Sequence, residues 1–170
     1  MNVLAGLPDS LSAALAAVPL QEAMLAAVAL FLIRLSSHLG MWTYAVVALP
    51  GTLAHELAHY LTALLLAARP TFPSLVPQRT AFGWRLGSVA FRAGPLRSLP
   101  IALAPLLLLP LAGWWLLHLM IGSPWPLHAV HAWIVGALLS ACLPSSADMR
   151  IALPALAVIA LLLLAWWLLR

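Results

Sequence analysis

The sequence contains no lysine, only four acidic residues and a single cysteine among its 170 residues. Charged residues make up 7% of the chain, against about 25% in soluble domains. Because 65% of the residues are hydrophobic, the composition excludes an ordinary water-soluble domain and predicts a lipid bilayer as partner. A lone Cys142 excludes an internal disulfide. The net charge of +4 comes from arginines, which fit membrane-protein loops better than a nucleic-acid interface, so no nucleic-acid partner is expected.

Five apolar stretches reach or approach the length of about 20 apolar residues that a membrane-spanning helix needs. The first covers 11–33, but Glu22 interrupts it. We therefore expect the span to start near Glu22 and residues 10–20 to form an interfacial helix. The other stretches are 41–68, 99–120, 127–143 and 150–169. This pattern predicts an all-α polytopic membrane protein with about five transmembrane helices.

These stretches predict one membrane-embedded domain over residues 1–170, with a core at 41–150. One or more N-terminal helices would precede the core in 1–40, and a C-terminal transmembrane helix would follow in 150–170. The loop at 69–97 holds five of the eight arginines, and positively charged loops stay in the cytoplasm. We therefore expect a multi-pass protein of the cell membrane with its site toward the cytoplasm. The sequence leaves the oligomeric state open.

The second half of this loop carries strand-forming residues around a turn signal. The stretch "TAFGWRL" is followed by "GS" and then by "VAFR". Aromatic and β-branched residues on both sides of a glycine-containing turn predict a short β-hairpin with its turn at Gly87 and Ser88. The alternative is that 79–93 is an ordinary cytoplasmic loop lying on the lipid headgroups.

Residues 55–59 read HELAH, which is the H-E-x-x-H pattern. On a helix His55 and His59 lie one turn apart on the same face, so both can bind one zinc ion. Glu56 lies about 100° round the helix axis from His55, beside the metal rather than on it. There it can take a proton from water and pass it to a leaving amine. The pattern therefore predicts a metal site with Glu56 as its general base.

The apolar surroundings of this motif support a metal site. Inserting one ionisable side chain at bilayer depth costs at least about 2.5–3.5 kcal/mol of free energy. Because His55, Glu56 and His59 lie on one side of the predicted helix, they need a polar partner inside the helix bundle. One metal ion would serve both histidines at once. The alternative is that the histidines and the glutamate only hydrogen-bond to one another. Pro50 and Gly51, one turn upstream, are expected to start or kink the helix and to free a carbonyl near the site.

A catalytic zinc site usually has three protein ligands, and Asp148 is the strongest candidate for the third. We expect it at the end of the fourth helix, in "LPSSADM", where Pro144 would break the helix and let the carboxylate turn inward. Alternatively, Asp148 is a flanking charge paired with Arg150. Glu22 is expected to be a solvated or interfacial acid. The rival ligands, which the topology places near the outer face, are His118, His128 and His131.

With these motifs the sequence resembles the site-2 protease family of intramembrane zinc metalloproteases over about residues 41–150. HELAH is similar to the H-E-x-x-H of that family's first core helix. "FRAGPLRS" at 91–98 is similar to the Gly-Pro motif that opens the second core helix. "LPSSADM" at 143–149 is similar to the Asn-Pro…Asp-Gly segment of the third core helix, which supplies an aspartate ligand. The order of these motifs and the hairpin loop between them also fit.

The resemblance implies a zinc-dependent endopeptidase that cleaves transmembrane or membrane-proximal protein substrates. One Zn²⁺ per chain would be held by His55, His59 and Asp148. Glu56 would act first as general base and then as general acid. The resemblance thus adds a reaction and a substrate class to the site that the residues predict.

The resemblance also implies roles at the oxyanion or the substrate for Gly94, Pro95 and Ser98. Ser98 stands near the place where the family often has an asparagine. The sequence departs from the family pattern at two further positions, because Leu143 replaces the asparagine before the proline and Met149 replaces the glycine after the aspartate. These departures concern the surroundings of the motif rather than HELAH itself.

Two other classes of function compete with the protease. One is a catalytically inactive membrane scaffold that binds zinc or a partner, motivated by the altered residues around Pro144 and Ser98. The other is a metal transporter, in which further histidines would line a path to His55 and His59. Glu56 favours the enzyme, because neither zinc binding nor transport requires a glutamate at that position.

Overall fold

The computed structural model describes residues 18–80 and 83–170, and 72% of these described residues are helical. The predicted interfacial helix at 10–20 lies almost wholly outside the described residues. Two 3₁₀ segments, Ser37–Leu39 and Ala104–Leu107, and one π-helical segment, Leu116–Met120, extend the regular helices. The helices are α1 (Leu20–Ser36), α2 (Met41–Val47), α3 (Leu49–Leu65), α4 (Pro95–Leu103), α5 (Leu108–Trp115), α6 (Leu127–Ala141) and α7 (Ser146–Leu168).

Among the described residues, three helical stretches are long and apolar enough to cross a membrane: Leu20–Leu39, Pro95–Met120 and Ser146–Leu168. The predicted membrane-type helical fold is therefore confirmed in outline, whereas five spanning helices are not. α6 is apolar but has 15 residues, which at 1.5 Å per residue gives about 22 Å. The predicted helix over 41–68 is divided at Ala48.

The division at Ala48 follows from the sequence just after it. Pro50 occupies the first turn of α3, where its missing N–H costs no hydrogen bond, as expected from its position. The carbonyl of Val47 is freed for another partner and accepts a hydrogen bond of 2.8 Å from Trp133 Nε1 on α6. Gly51 then lies directly against α6, since a Cβ there would collide with the carbonyl of Ala137. The break thus lets α3 pack closely on α6.

The last helix starts earlier than predicted, at Ser146 rather than at 150. Its start is a capping box in which Asp148 N–H donates to Ser145 Oγ at 3.2 Å. The Ser145 N–H donates in return to Asp148 Oδ2 at 2.6 Å. The expectation that Asp148 ends the fourth helix is therefore wrong, because α6 already ends at Ala141 and Asp148 lies in the first turn of α7.

The loop contains a small two-stranded hairpin, but it pairs other residues than those predicted. β1 (Gln78–Thr80) and β2 (Gly83–Arg85) are antiparallel, and the two residues that connect them, 81–82, are outside the described part of the chain. Ser88, which we predicted in the turn, instead exchanges two backbone hydrogen bonds with Ser74, of 3.0 and 2.9 Å. The "VAFR" segment therefore runs beside the chain that precedes β1, and the turn prediction at 87–88 is wrong.

α6 is the central helix of the bundle, in contact with α1, α3 and α5. It runs parallel to α1. At the first turns of the two helices, Glu22 Oε2 lies 2.9 Å from His128 Nε2, and at the last turns Arg34 Nη2 donates to the Ser140 carbonyl at 2.8 Å. Glu22 is 4% exposed, so the expectation of a solvated or interfacial acid is wrong. An acid at this depth is retained because a histidine faces it.

We expect Glu22→Ala to destabilise the protein by about 1–3 kcal/mol, because the substitution leaves His128 half-buried without its partner. Thermal unfolding of the purified protein in detergent measures the effect. Gln21→Ala, at the exposed neighbouring position, is the matched control and should unfold at the wild-type temperature. Equal unfolding temperatures for Glu22→Ala and wild type would contradict a stabilising role for this pair.

Candidate metal centre

His55, His59 and Asp148 form a cluster that could hold a metal ion. The two histidines lie one turn apart on α3, and their Nε2 atoms are 3.1 Å apart. Asp148 approaches from the first turn of α7, with Oδ2 at 3.4 Å from His55 Nε2 and Oδ1 at 3.2 Å from His59 Nε2. The three residues that the sequence singled out as ligands are therefore neighbours in space, although 89 positions separate His59 from Asp148.

Both imidazole rings are oriented by backbone carbonyls. His55 Nδ1 donates to the carbonyl of Ala141 at 2.8 Å, and His59 Nδ1 donates to the carbonyl of Ile101 at 2.7 Å. Because each Nδ1 proton is used in this hydrogen bond, the Nε2 atom of each neutral ring is unprotonated, and its lone pair faces the space between the two histidines and Asp148. Two imidazole lone pairs and a carboxylate that converge on one point repel one another unless a proton or a metal cation lies between them.

The two carbonyls can accept these protons because each lacks the N–H donor four residues further along the chain, although the Ile101 carbonyl also accepts the N–H of Ala104. The donor for the Ile101 carbonyl four residues on would be Pro105, which has no N–H. The donor for the Ala141 carbonyl would be Ser145, whose N–H instead bonds to Asp148. A proline and a helix cap thus free the two acceptors that fix the histidine tautomers.

The spacing of the donor atoms fits a small divalent metal. Ligands at 2.0–2.1 Å from a tetrahedral zinc ion lie roughly 3.3 Å from one another. The two Nε2 atoms, 3.1 Å apart, are close to this edge length, and each lies 3.2–3.4 Å from a different oxygen of Asp148. With one ligand atom taken from each residue, the three atoms lie within 4.8 Å of one another. Two histidines and one carboxylate are a ligand set of catalytic zinc sites and also of non-haem iron sites. The geometry therefore supports a metal site without choosing between these metals.

Glu56 lies beside the cluster and shares its cavity, which has a volume of about 460 Å³. The side chain is 6% exposed and lies beneath the loop that follows β2. A Cβ on Gly87 would come within 2.5 Å of Glu56 Oε1, so only glycine lets the loop approach this closely. Our sequence reasoning missed this contact, because it placed Gly87 in a turn.

The residues implied by the Gly-Pro motif do not line this cavity. Gly94 and Pro95 begin α4, and Ser98 is buried with its Oγ donating to the carbonyl of Ala93 at 3.3 Å. Among the described residues, the cavity wall does not include these three. Hydroxyl groups on the wall come instead from other positions, among them Tyr44 and Ser140.

The rival histidines are also distant from the cluster and have their own partners. His128 faces Glu22, and His131 Nδ1 accepts a hydrogen bond of 3.1 Å from Trp115 Nε1. His118 Nδ1 lies 2.9 Å from the carbonyl of Trp114 within its own helix. Within the described part of the chain, only His55, His59 and Asp148 form a group able to hold a metal.

No protein-family model, no curated protein and no solved structure matches this chain. The functional interpretation therefore depends on the motif and on the geometry of the site.

We expect the purified protein to contain about one metal ion per chain, and His55→Ala to abolish its binding, since two of three ligands cannot complete the site. Asp148→Ala should weaken binding by more than about tenfold. Elemental analysis for zinc and iron, together with competition against a chelator, measures both effects. His131→Ala, which removes a histidine outside the cluster, should keep the full metal content. Wild-type affinity in Asp148→Ala would show that the carboxylate is not a ligand.

Proposed function

We propose that the protein is a zinc-dependent intramembrane endopeptidase. The observation that carries the proposal is the position of Glu56, a buried carboxylate next to two histidines and an aspartate within one cavity. A structural metal site is usually closed by four protein ligands, whereas a catalytic site has three and leaves a position for water or substrate. The cluster has three ligands, and the cavity beside it offers room for a peptide.

In this mechanism His55, His59 and Asp148 would hold the zinc ion. When bound, the ion would supply Lewis-acid chemistry, polarising the scissile carbonyl and activating water. Glu56 accepts a proton from the attacking water and then donates it to the leaving amine. Gly87 lies directly against the side chain of Glu56, which is buried and lines the cavity. The carbonyls of Ala141 and Ile101 keep the two imidazoles in the tautomer that can bind metal.

The proposed substrates are transmembrane or membrane-proximal proteins, because the site belongs to a chain of apolar helices. The arginine-rich loop at 69–97 supports an orientation with the cavity toward the cytoplasmic side of the cell membrane. A peptide bond within a helix is shielded by backbone hydrogen bonds, so the substrate has to unwind before cleavage. The stretch 79–93 would offer an extended edge to the unwound segment, since residues 84–89 of this stretch line the cavity.

A zinc-binding scaffold without activity is the second candidate. The position of Ser98 favours it, because the described cavity wall does not include this residue, which stands in for the family's asparagine. The position of Glu56 beside the cluster favours the enzyme, because a scaffold has no use for a buried base at that position. No observation favours a metal transporter, since His118, His128 and His131, which would line its path, contact other partners.

We expect Glu56→Gln to bind metal like wild type and to lower cleavage of a co-expressed transmembrane substrate by at least about 100-fold, because the amide cannot accept the proton. Product formation on immunoblots, with metal content measured on the same preparations, gives both results. Glu22→Gln makes the same substitution at the other glutamate of the chain and should retain activity. Cleavage by Glu56→Gln at the wild-type rate would rule out this mechanism.

We expect Gly87→Ala to lower cleavage by about tenfold or more while metal content stays unchanged, since the new methyl group forces Glu56 or the loop to move. Gly113→Ala on α5 is the control, because a Cβ there meets nothing within 4 Å. Rates and metal content are measured on the three proteins side by side. Full activity in Gly87→Ala would mean that the contact between loop and carboxylate does not position the base.

A further inference from the structure

A cation on the wall of the cavity has no role in the mechanism described above. Arg85, the last residue of β2, lines the cavity together with the metal cluster and Glu56. Its Nη2 donates to Gln78 Oε1 at 2.9 Å, and Gln78 is also its cross-strand neighbour in the hairpin. Because the amide of Gln78 is neutral, this contact holds the guanidinium in place without neutralising its charge.

With a metal ion bound, the formal charges on the cavity wall would sum to a positive excess that includes the charge of Arg85. The carboxylates on the wall belong to Asp148, which contacts both histidines, and to Glu56 beneath Gly87. A divalent ion with two neutral histidines would balance these two carboxylates. Arg150 also lines the cavity, but even without it Arg85 adds one positive charge. Among the described residues, no carboxylate forms an ion pair with Arg85 within 4.0 Å.

Arg85 is close in the chain to the residue that contacts Glu56. Gly87, two residues after Arg85, lies against Glu56. Two residues of extended chain cover roughly 7 Å. A peptide that crosses the metal cluster alongside this segment would therefore bring a side chain two or three residues from the scissile bond to Arg85. A guanidinium binds carboxylates through paired N–H donors, which a neutral side chain cannot match.

We propose that Arg85, held by Gln78, selects peptide substrates that carry a carboxylate side chain two or three residues from the cleaved bond. This inference rests on the proposed endopeptidase function and adds a substrate class to it. Arg85 is a specificity residue in this scheme and takes no part in bond cleavage. An exposed ion pair contributes modestly, so we expect a preference of about fivefold for an acidic side chain over its amide.

Quenched-fluorescence peptides of alanine and leucine test the inference. A single glutamate, or a glutamine as the matched neutral residue, is moved along the peptide, and cleavage by the zinc-loaded protein in detergent is measured for each pair. The expected result is a higher kcat/KM for glutamate at one position two or three residues from the cleaved bond, and equal values for the pair in Arg85→Gln. Arg79→Gln, on the neighbouring strand, is the control and should keep the preference.

Binding to the zinc-loaded Glu56→Gln protein separates this inference from the proposed function. Fluorescence anisotropy should give a dissociation constant about fivefold lower for the glutamate peptide than for the glutamine peptide, and this difference should vanish when Arg85→Gln is added. Cleavage with no difference between the peptides would overturn the inference and leave the endopeptidase standing. An Arg85-dependent difference in binding, without cleavage by wild type, would support carboxylate recognition and overturn the endopeptidase. A preference that persists in Arg85→Gln would also overturn the inference.

Discussion

The convergence of two imidazoles and a carboxylate inside an apolar bundle is the constraint on which the rest of the site depends. His55 and His59 face Asp148 across distances of 3.2–3.4 Å, and each ring is fixed from behind by a backbone carbonyl. In a bilayer such groups are retained only where each has a partner. The cluster therefore connects α3, α4, α6 and the start of α7. Interruptions of these helices supply the backbone carbonyls that accept hydrogen bonds from the two histidines.

These interruptions have a common physical origin. A regular helix satisfies its own carbonyls, so an apolar helix has no acceptor to offer a histidine. Pro105 leaves the carbonyl of Ile101 without its usual donor, and the cap at Ser145 does the same for Ala141. Pro50 separates α2 from α3 and lets Gly51 pack against α6. Prolines, a glycine and a helix cap thus supply the backbone acceptors and the close helix packing that a polar site needs among apolar helices.

A second polar contact lies at the opposite end of α6. Glu22 and His128 meet near the first turn, whereas Ala141 ends the helix beside the metal cluster, about 20 Å away at 1.5 Å per residue. The cluster and this pair serve different purposes in our interpretation. The pair holds α1 parallel to α6, and the cluster, with Glu56 beside it, is arranged for chemistry. The fixed α6 provides the surface on which α3 and its histidines rest.

The sequence by itself determined the membrane-type composition, the shared face of His55 and His59 and the position of Glu56 beside them, because helical periodicity is a local property. It also indicated Asp148, since acids are so scarce in this chain. Only the tertiary structure decided that Glu22 is buried, that Asp148 begins α7, that Ser88 pairs with Ser74 and that Gly87 covers Glu56. The start of α7 follows from a local pattern that the sequence reasoning missed, the capping box of Ser145 and Asp148. The other three depend on contacts between segments that are separate in the chain, and no local pattern encodes such a contact.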